Sequence, residues 1–66
     1  MVIVVNGQPR EIAPGQTVAS LLRDLALPPT RVAVERNREI VRKPDYDSTG
    51  LAAGDRLEIV TFVGGG

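Results

Sequence analysis

Hydrophobic positions along the chain change rhythm several times, and each change marks an element. Val2-Ile3-Val4-Val5 is β-branched throughout and runs directly into Asn6-Gly7, the strongest short signal for a β-hairpin. Arg10-Glu11-Ile12-Ala13 is then the returning strand, with Pro9 tolerable at its start because an edge strand need not donate there. Pro14-Gly15-Gln16 ends the strand, and Thr17 stands where a helix N-cap belongs. Val18, Leu21, Leu22 and Leu25 recur at i, i+3, i+4 and i+7, which makes one apolar stripe with Ser20, Arg23 and Asp24 facing away. Pro28 and Pro29 stop this helix by Leu27. At two to three turns it cannot be stable alone and has to lie on something.

The second half returns to alternation. Arg31-Val32-Ala33-Val34-Glu35 puts Val32 and Val34 on one face, and Arg36-Asn37 reads as a tight turn into Arg38-Glu39-Ile40-Val41-Arg42. The register of that strand stays open, since Ile40 and Val41 cannot both point the same way. The stretch 43–50 reads as a loop with one helical turn, from which Leu51 plugs the core. Ala53-Gly54-Asp55 is another turn, and Arg56 to Val63 is the final strand, with Leu57 and Ile59 on one face. One short helix covers one face of such a sheet, which gives an α+β two-layer domain. Antiparallel hairpins flanking a helix, with the last strand returning to the middle beside the first, make a β-grasp. The expectation is a mixed sheet of four to five strands with one main helix packed on one face. If Ile3, Val5, Leu57 and Ile59 face the helix, then Val2, Val4, Val60 and Phe62 face outward as one apolar patch. Such a patch is expected to dock a partner.

Composition narrows the chemistry. Sixty-six residues make one domain near the lower limit for folding without a staple. With no cysteine there is no disulfide, thiol nucleophile or zinc-thiolate cluster, and with no histidine the usual general base and commonest metal ligand are missing. Eight basic and eight acidic side chains cancel, which argues against a nucleic-acid partner held by phosphate neutralisation. Met1 to Val5 is too short an apolar run for a signal peptide or membrane span, so no membrane partner is expected and the location is read as cytoplasmic. Lys43 is the single lysine, which leaves little scope for isopeptide chains on this protein. Asp45 and Asp47, beside Pro44 and Ser48, read as turn chemistry rather than as a metal site. Arg31, Arg36, Arg38, Arg42 and Lys43 interleave with Glu35 and Glu39 and read as a solvated hairpin. No credible catalytic set or metal site emerges, and the protein is not expected to be an enzyme.

The most distinctive stretch is the last one, Val60-Thr61-Phe62-Val63-Gly64-Gly65-Gly66. Without Cβ atoms, Gly64 and Gly65 can thread a narrow channel, and three extended residues reach roughly 10 Å. A carboxylate on Gly66 would be ionised at neutral pH. The expected division is a β-grasp body over residues 1–63 and a flexible glycine tail over 64–66. Taken alone, such a tail reads first as a frayed end, and it is the rest of the chain that turns the reading toward a reacting tail.

The order of elements, the Val34-Glu35-Arg36-Asn37-Arg38-Glu39-Ile40-Val41 hairpin, the Gly54-Asp55-Arg56-Leu57-Glu58-Ile59-Val60 run and the Phe62-Val63-Gly64-Gly65-Gly66 ending resemble the ThiS-type, ubiquitin-like sulfur carriers of thiamin biosynthesis. The resemblance covers essentially the whole chain. It implies that an E1-like, ThiF-type adenylyltransferase, using ATP and Mg, activates the carboxylate of Gly66. Sulfur from a cysteine desulfurase-derived persulfide then displaces AMP to leave a thiocarboxylate, and the sulfur passes to a ThiG-type thiazole synthase. The chain itself would bind no cofactor and act as a cosubstrate. The family signature needs two terminal glycines, which puts Gly65 and Gly66 as the stringent pair and Gly64 as a spacer. Rival readings are a carrier for molybdopterin synthesis or tRNA thiolation, and a β-grasp binding module with an inert tail. An RNA-binding β-grasp domain is disfavoured by the balanced charge and by one Tyr and one Phe for base stacking.

Overall fold

The computed structural model of the chain describes residues 1–62. Val63 and the tail glycines Gly64, Gly65 and Gly66 lie outside the described residues. Strand β1 (Val2–Val5) and β2 (Gln8–Glu11) form the first hairpin, followed by helix α1 (Val18–Asp24). Strand β3 (Val32–Arg36) and β4 (Glu39–Val41) form the second hairpin, and β5 (Arg56–Thr61) closes the sheet. Single 3₁₀ turns occupy Pro29–Arg31 and Lys43–Asp45. The strands lie in the order β2-β1-β5-β3-β4, with β1 and β5 parallel at the centre and the other pairs antiparallel. This is the β-grasp that the alternation implied.

The core lies between α1 and one face of the sheet. Ile3, Val18, Leu21, Leu22, Val32, Val34 and Leu57 are fully buried there, with Ile59 and Leu51 at its margin. Leu51 does plug the core from the long loop, and Tyr46, read only as part of that loop, joins it at 4% exposure. Seven residues of helix hold because both ends are closed and one stripe is buried. Thr17 Oγ1 accepts from the Ser20 N–H while Ser20 Oγ accepts from the Thr17 N–H, a reciprocal capping box. Ser20 is therefore half-buried rather than turned to solvent. At the other end Ala26 takes φ 57, and Leu27 N–H and Ala26 N–H return to the carbonyls of Leu22 and Arg23. That is a Schellman ending with alanine in the position glycine usually fills.

Three boundaries differ from the sequence reading. The first hairpin has a two-residue turn with Asn6 at φ 50 and Gly7 at φ 79, so β2 starts at Gln8 and Val4 lies opposite Pro9. The second turn is Asn37-Arg38, not Arg36-Asn37, since Arg36 pairs with Glu39. Both turn residues have positive φ, 52 and 71, as a two-residue turn matching strand twist requires. This register points Val41 onto the core and leaves Ile40 76% exposed, which settles the open register of β4. Strand β5 ends at Thr61, although Phe62 N–H still donates to the Arg31 carbonyl at 2.8 Å.

Candidate functional site

Among the described residues, no helix covers the face of the sheet away from α1. Its residues on β5 are Arg56, Glu58 and Val60, with Phe62 continuing the row, while Leu57 and Ile59 turn inward. Val60 is 57% exposed and Phe62 55% exposed. Val60 lies directly opposite the exposed Ala33 of β3, and Ile40 stands on the same face one strand further on, opposite Glu35. Val60, Phe62 and Ala33 therefore make an apolar area at the C-terminal end of β5, with Ile40 diagonal to Ala33 at the level of Glu35 and Glu58. Patches of this kind on an otherwise charged surface mark interaction sites.

The expected single patch of Val2, Val4, Val60 and Phe62 does not form. Parallel pairing places Val4 opposite Arg56 and Val5 opposite Leu57, so β1 lies along the beginning of β5. Four residues of strand, roughly 13 Å at the usual rise, separate Val4 from the level of Val60. The side chains of Arg56 and Glu58 stand in that interval. Val2 is exposed and Val4 half-buried, and the two form a second, smaller apolar area beside Pro9 at the far end of the sheet. The sequence showed which residues face outward. It did not show how far the parallel strands are staggered.

The turn at the start of β5 is organised by Asp55, whose side chain is 8% exposed. Its carboxylate accepts from the Ala52 N–H at 2.8 Å, Arg36 Nε at 2.8 Å and Asn37 Nδ2 at 3.0 Å. Burial alone would raise its pKa. The Ala52 N–H, the Arg36 and Asn37 side chains and the Arg36 charge outweigh burial, and the net displacement is downward. Asn37 also pairs with Arg56 through Oδ1 and its own N–H. The basic residues thus do not converge on an anion site: Arg36 belongs to Asp55, and Lys43 Nζ reaches the Val32 carbonyl at 3.3 Å. Asp45 contributes its backbone carbonyl to Ser48 and Thr49, as turn chemistry requires, and Asp47 is exposed. Among the described residues no three His, Cys, Asp or Glu side chains are grouped to hold a metal, and no helix is long and apolar enough to cross a membrane.

Sequence reasoning missed two residues near the tail root. Ile40 could not be assigned a face before the Asn37-Arg38 turn was seen. Asn6 was read only as a turn former, yet its side chain bonds both backbone groups of Ile59. The signal available for Asn6 was its carboxamide, which carries the donor and acceptor of a peptide unit.

Comparison with known proteins agrees with this geometry. The profile of the ThiS family matches residues 3–66. The chain is 46% identical over 50 residues to the sulfur carrier protein ThiS of Bacillus subtilis, covering 76% of each. It is 47% identical over its whole length to a thiazole synthase of Paramagnetospirillum magneticum, but spans only 20% of that relative's length. Among solved structures, the thiamine biosynthesis protein ThiS of Geobacter metallireducens superposes with a TM-score of 0.85 at 35% identity, covering 100% of both chains. With the fold, the exposed face and the full-length match in agreement, the chain belongs to the ThiS family of sulfur carriers.

Proposed function

We propose that this chain carries sulfur on the carboxylate of Gly66 for the formation of a thiazole in thiamin biosynthesis. The observation that carries the reading is the apolar face of Val60 and Phe62, in a ThiS-family chain, leading into Gly64-Gly65-Gly66. A ThiF-type adenylyltransferase docks on that face, centred on Val60 and Phe62 with Ile40 at its margin. The glycines pass into its active site because they present no side chains to a narrow channel. Val2 and Val4, at the other end of the sheet, lie outside this first contact. Residues 1–63 act as the recognition body and 64–66 as the reacting tail.

In the first step a Gly66 carboxylate oxygen attacks the α-phosphorus of ATP, held with Mg²⁺ by the partner enzyme, and pyrophosphate leaves. The acyl-adenylate turns a poor leaving oxygen into a good one. The terminal sulfur of a persulfide, formed with a cysteine desulfurase, attacks the acyl carbon and AMP departs. A second thiolate then cleaves the S–S bond, leaving a disulfide on the donor and a thiocarboxylate on Gly66. The acceptor is a ThiG-type thiazole synthase. That partnership is supported by the P. magneticum thiazole synthase, a fifth of whose length aligns with this whole chain. The protein is consumed and regenerated as a cosubstrate, consistent with its lack of cysteine and histidine.

The test is intact mass spectrometry after incubation with the adenylyltransferase, ATP, Mg²⁺ and a persulfide source. Replacement of one oxygen by sulfur, localised to the C-terminal peptide and lost on deletion of Gly66, is expected. An unmodified Gly66 in the presence of active enzyme would favour a binding module with an inert tail.

A further inference from the structure

The sheet narrows toward the C-terminal end of β5. Strand β1 turns away at Asn6-Gly7, so its backbone reaches β5 only as far as the bond from Asn6 N–H to the Leu57 carbonyl, 2.9 Å. The next β5 residue that faces this side is Ile59, whose N–H and C=O have no strand beside them. The Asn6 side chain takes that place. Its Oδ1 accepts from Ile59 N–H at 2.7 Å and its Nδ2 donates to the Ile59 carbonyl at 3.0 Å. One carboxamide thus adds a rung that the β1 backbone cannot supply, while the same residue holds the left-handed turn position at φ 50. Beyond Ile59, the β5 backbone bonds run to β3, ending at Phe62 N–H to the Arg31 carbonyl.

We infer that Asn6 is a positioning residue for the tail: its carboxamide clamps Ile59 and sets the line along which β5 delivers Gly66. The inference rests on the carrier reading. Gly66 lies seven residues beyond Ile59, roughly 23 Å when extended. A small change of tilt at the root would therefore shift by ångströms the region that the carboxylate can reach when the tail is drawn out in a partner's channel. A misplacement of about 1 Å at reacting atoms can cost on the order of 100-fold in rate. Docking through Val60 and Phe62 is a separate matter, because their side chains point to the outer face and do not use the clamp.

The experiment compares wild type with Asn6→Gly, which keeps the turn and removes the carboxamide, and Asn6→Asp, which keeps the acceptor but opposes a charge to the Ile59 carbonyl. Two readouts are needed: pyrophosphate release by the ATP-dependent adenylating enzyme, and amide hydrogen exchange. Both variants are expected to lose about tenfold in kcat with KM for the chain nearly unchanged. Exchange at Ile59 should rise in Asn6→Gly, which leaves that N–H without its acceptor, and exchange at Phe62 should rise in both variants, while Ile3 and Leu57 stay protected. A purely structural role would instead raise exchange across the whole core. Normal kcat in both variants, or unchanged exchange at Ile59 in Asn6→Gly, overturns the inference with the carrier reading intact. Failure of wild type itself to release pyrophosphate removes the carrier reading and this inference together.

Discussion

Asp55 joins two stretches that are distant in sequence, its own 52–55 turn and the end of β3 with the adjoining Asn37-Arg38 turn. Removing its carboxylate leaves the Ala52 N–H and the Arg36 and Asn37 donors without their acceptor, and Asp55→Ala should cost about 2–3 kcal/mol near neutral pH. Its pKa is lowered on folding, so its contribution is whole above the ordinary carboxylate range and disappears as pH falls through the lowered value. The deficit of the variant, measured by urea unfolding, should therefore shrink in acid. A deficit constant with pH would remove this account. Ala26 is the opposite case, a residue at φ 57 with nothing to gain from its Cβ. Ala26→Gly relieves a strain of roughly 1–3 kcal/mol and loses part of that to the greater freedom of the unfolded chain. A net stabilisation of about 1 kcal/mol is expected as a higher denaturation midpoint. The sequence marked Asp55 only as part of a turn and a family-like run and did not mark Ala26 at all, because their roles depend on partners and backbone angles that no periodicity records.

At the scale of elements, the readable features were those with local causes. The β-branched run before Asn6-Gly7 marks β1 and its turn without reference to the rest of the fold, and the Val18-Leu21-Leu22 stripe between Thr17 and Pro28 marks the helix. The boundaries that shifted are set by hydrogen bonds between elements. Asn37-Arg38 becomes the turn because Asn37 is held by Asp55 and Arg56, and an arginine accepts a left-handed φ that its own preferences disfavour. Helix α1 is too short to be sustained by propensity, so its cap should be disproportionately visible. Thr17→Ala is expected to destabilise the protein by about 1 kcal/mol. Amide exchange at Ser20 and Leu21 should rise more than exchange in β3. Equal loss across both elements would mean that the helix and sheet open as one unit and the cap has no separate role.

For the whole molecule, the stagger of the two parallel central strands decides where a partner can sit. Because Val4 pairs with Arg56, the outer face carries two apolar areas, and only the one with Val60 and Phe62 lies at the tail root. The sequence showed all four residues outward on the assumption that neighbouring strands are level, and alternation carries no information about stagger. The two areas give an internally controlled test. Phe62→Arg and Val60→Asp, both at exposed positions, should leave stability within about 0.5 kcal/mol. They should raise KM for the adenylating enzyme by about tenfold or more, as expected for central residues of an interface. Val2→Arg, on the same face but beside Pro9 and Glu11, should change KM by less than about twofold. Equal effects at Val2 and Phe62 would mean that the partner spans the full length of the sheet, across Arg56 and Glu58. No effect at either would place the recognition surface elsewhere, most plainly on the helical side, where an open groove runs past Ala19, Ala26, Leu27, Pro28 and Pro29. The result expected on the proposed carrier role would tie recognition to the end of β5 that precedes the glycines in sequence, so that docking and delivery would share one strand.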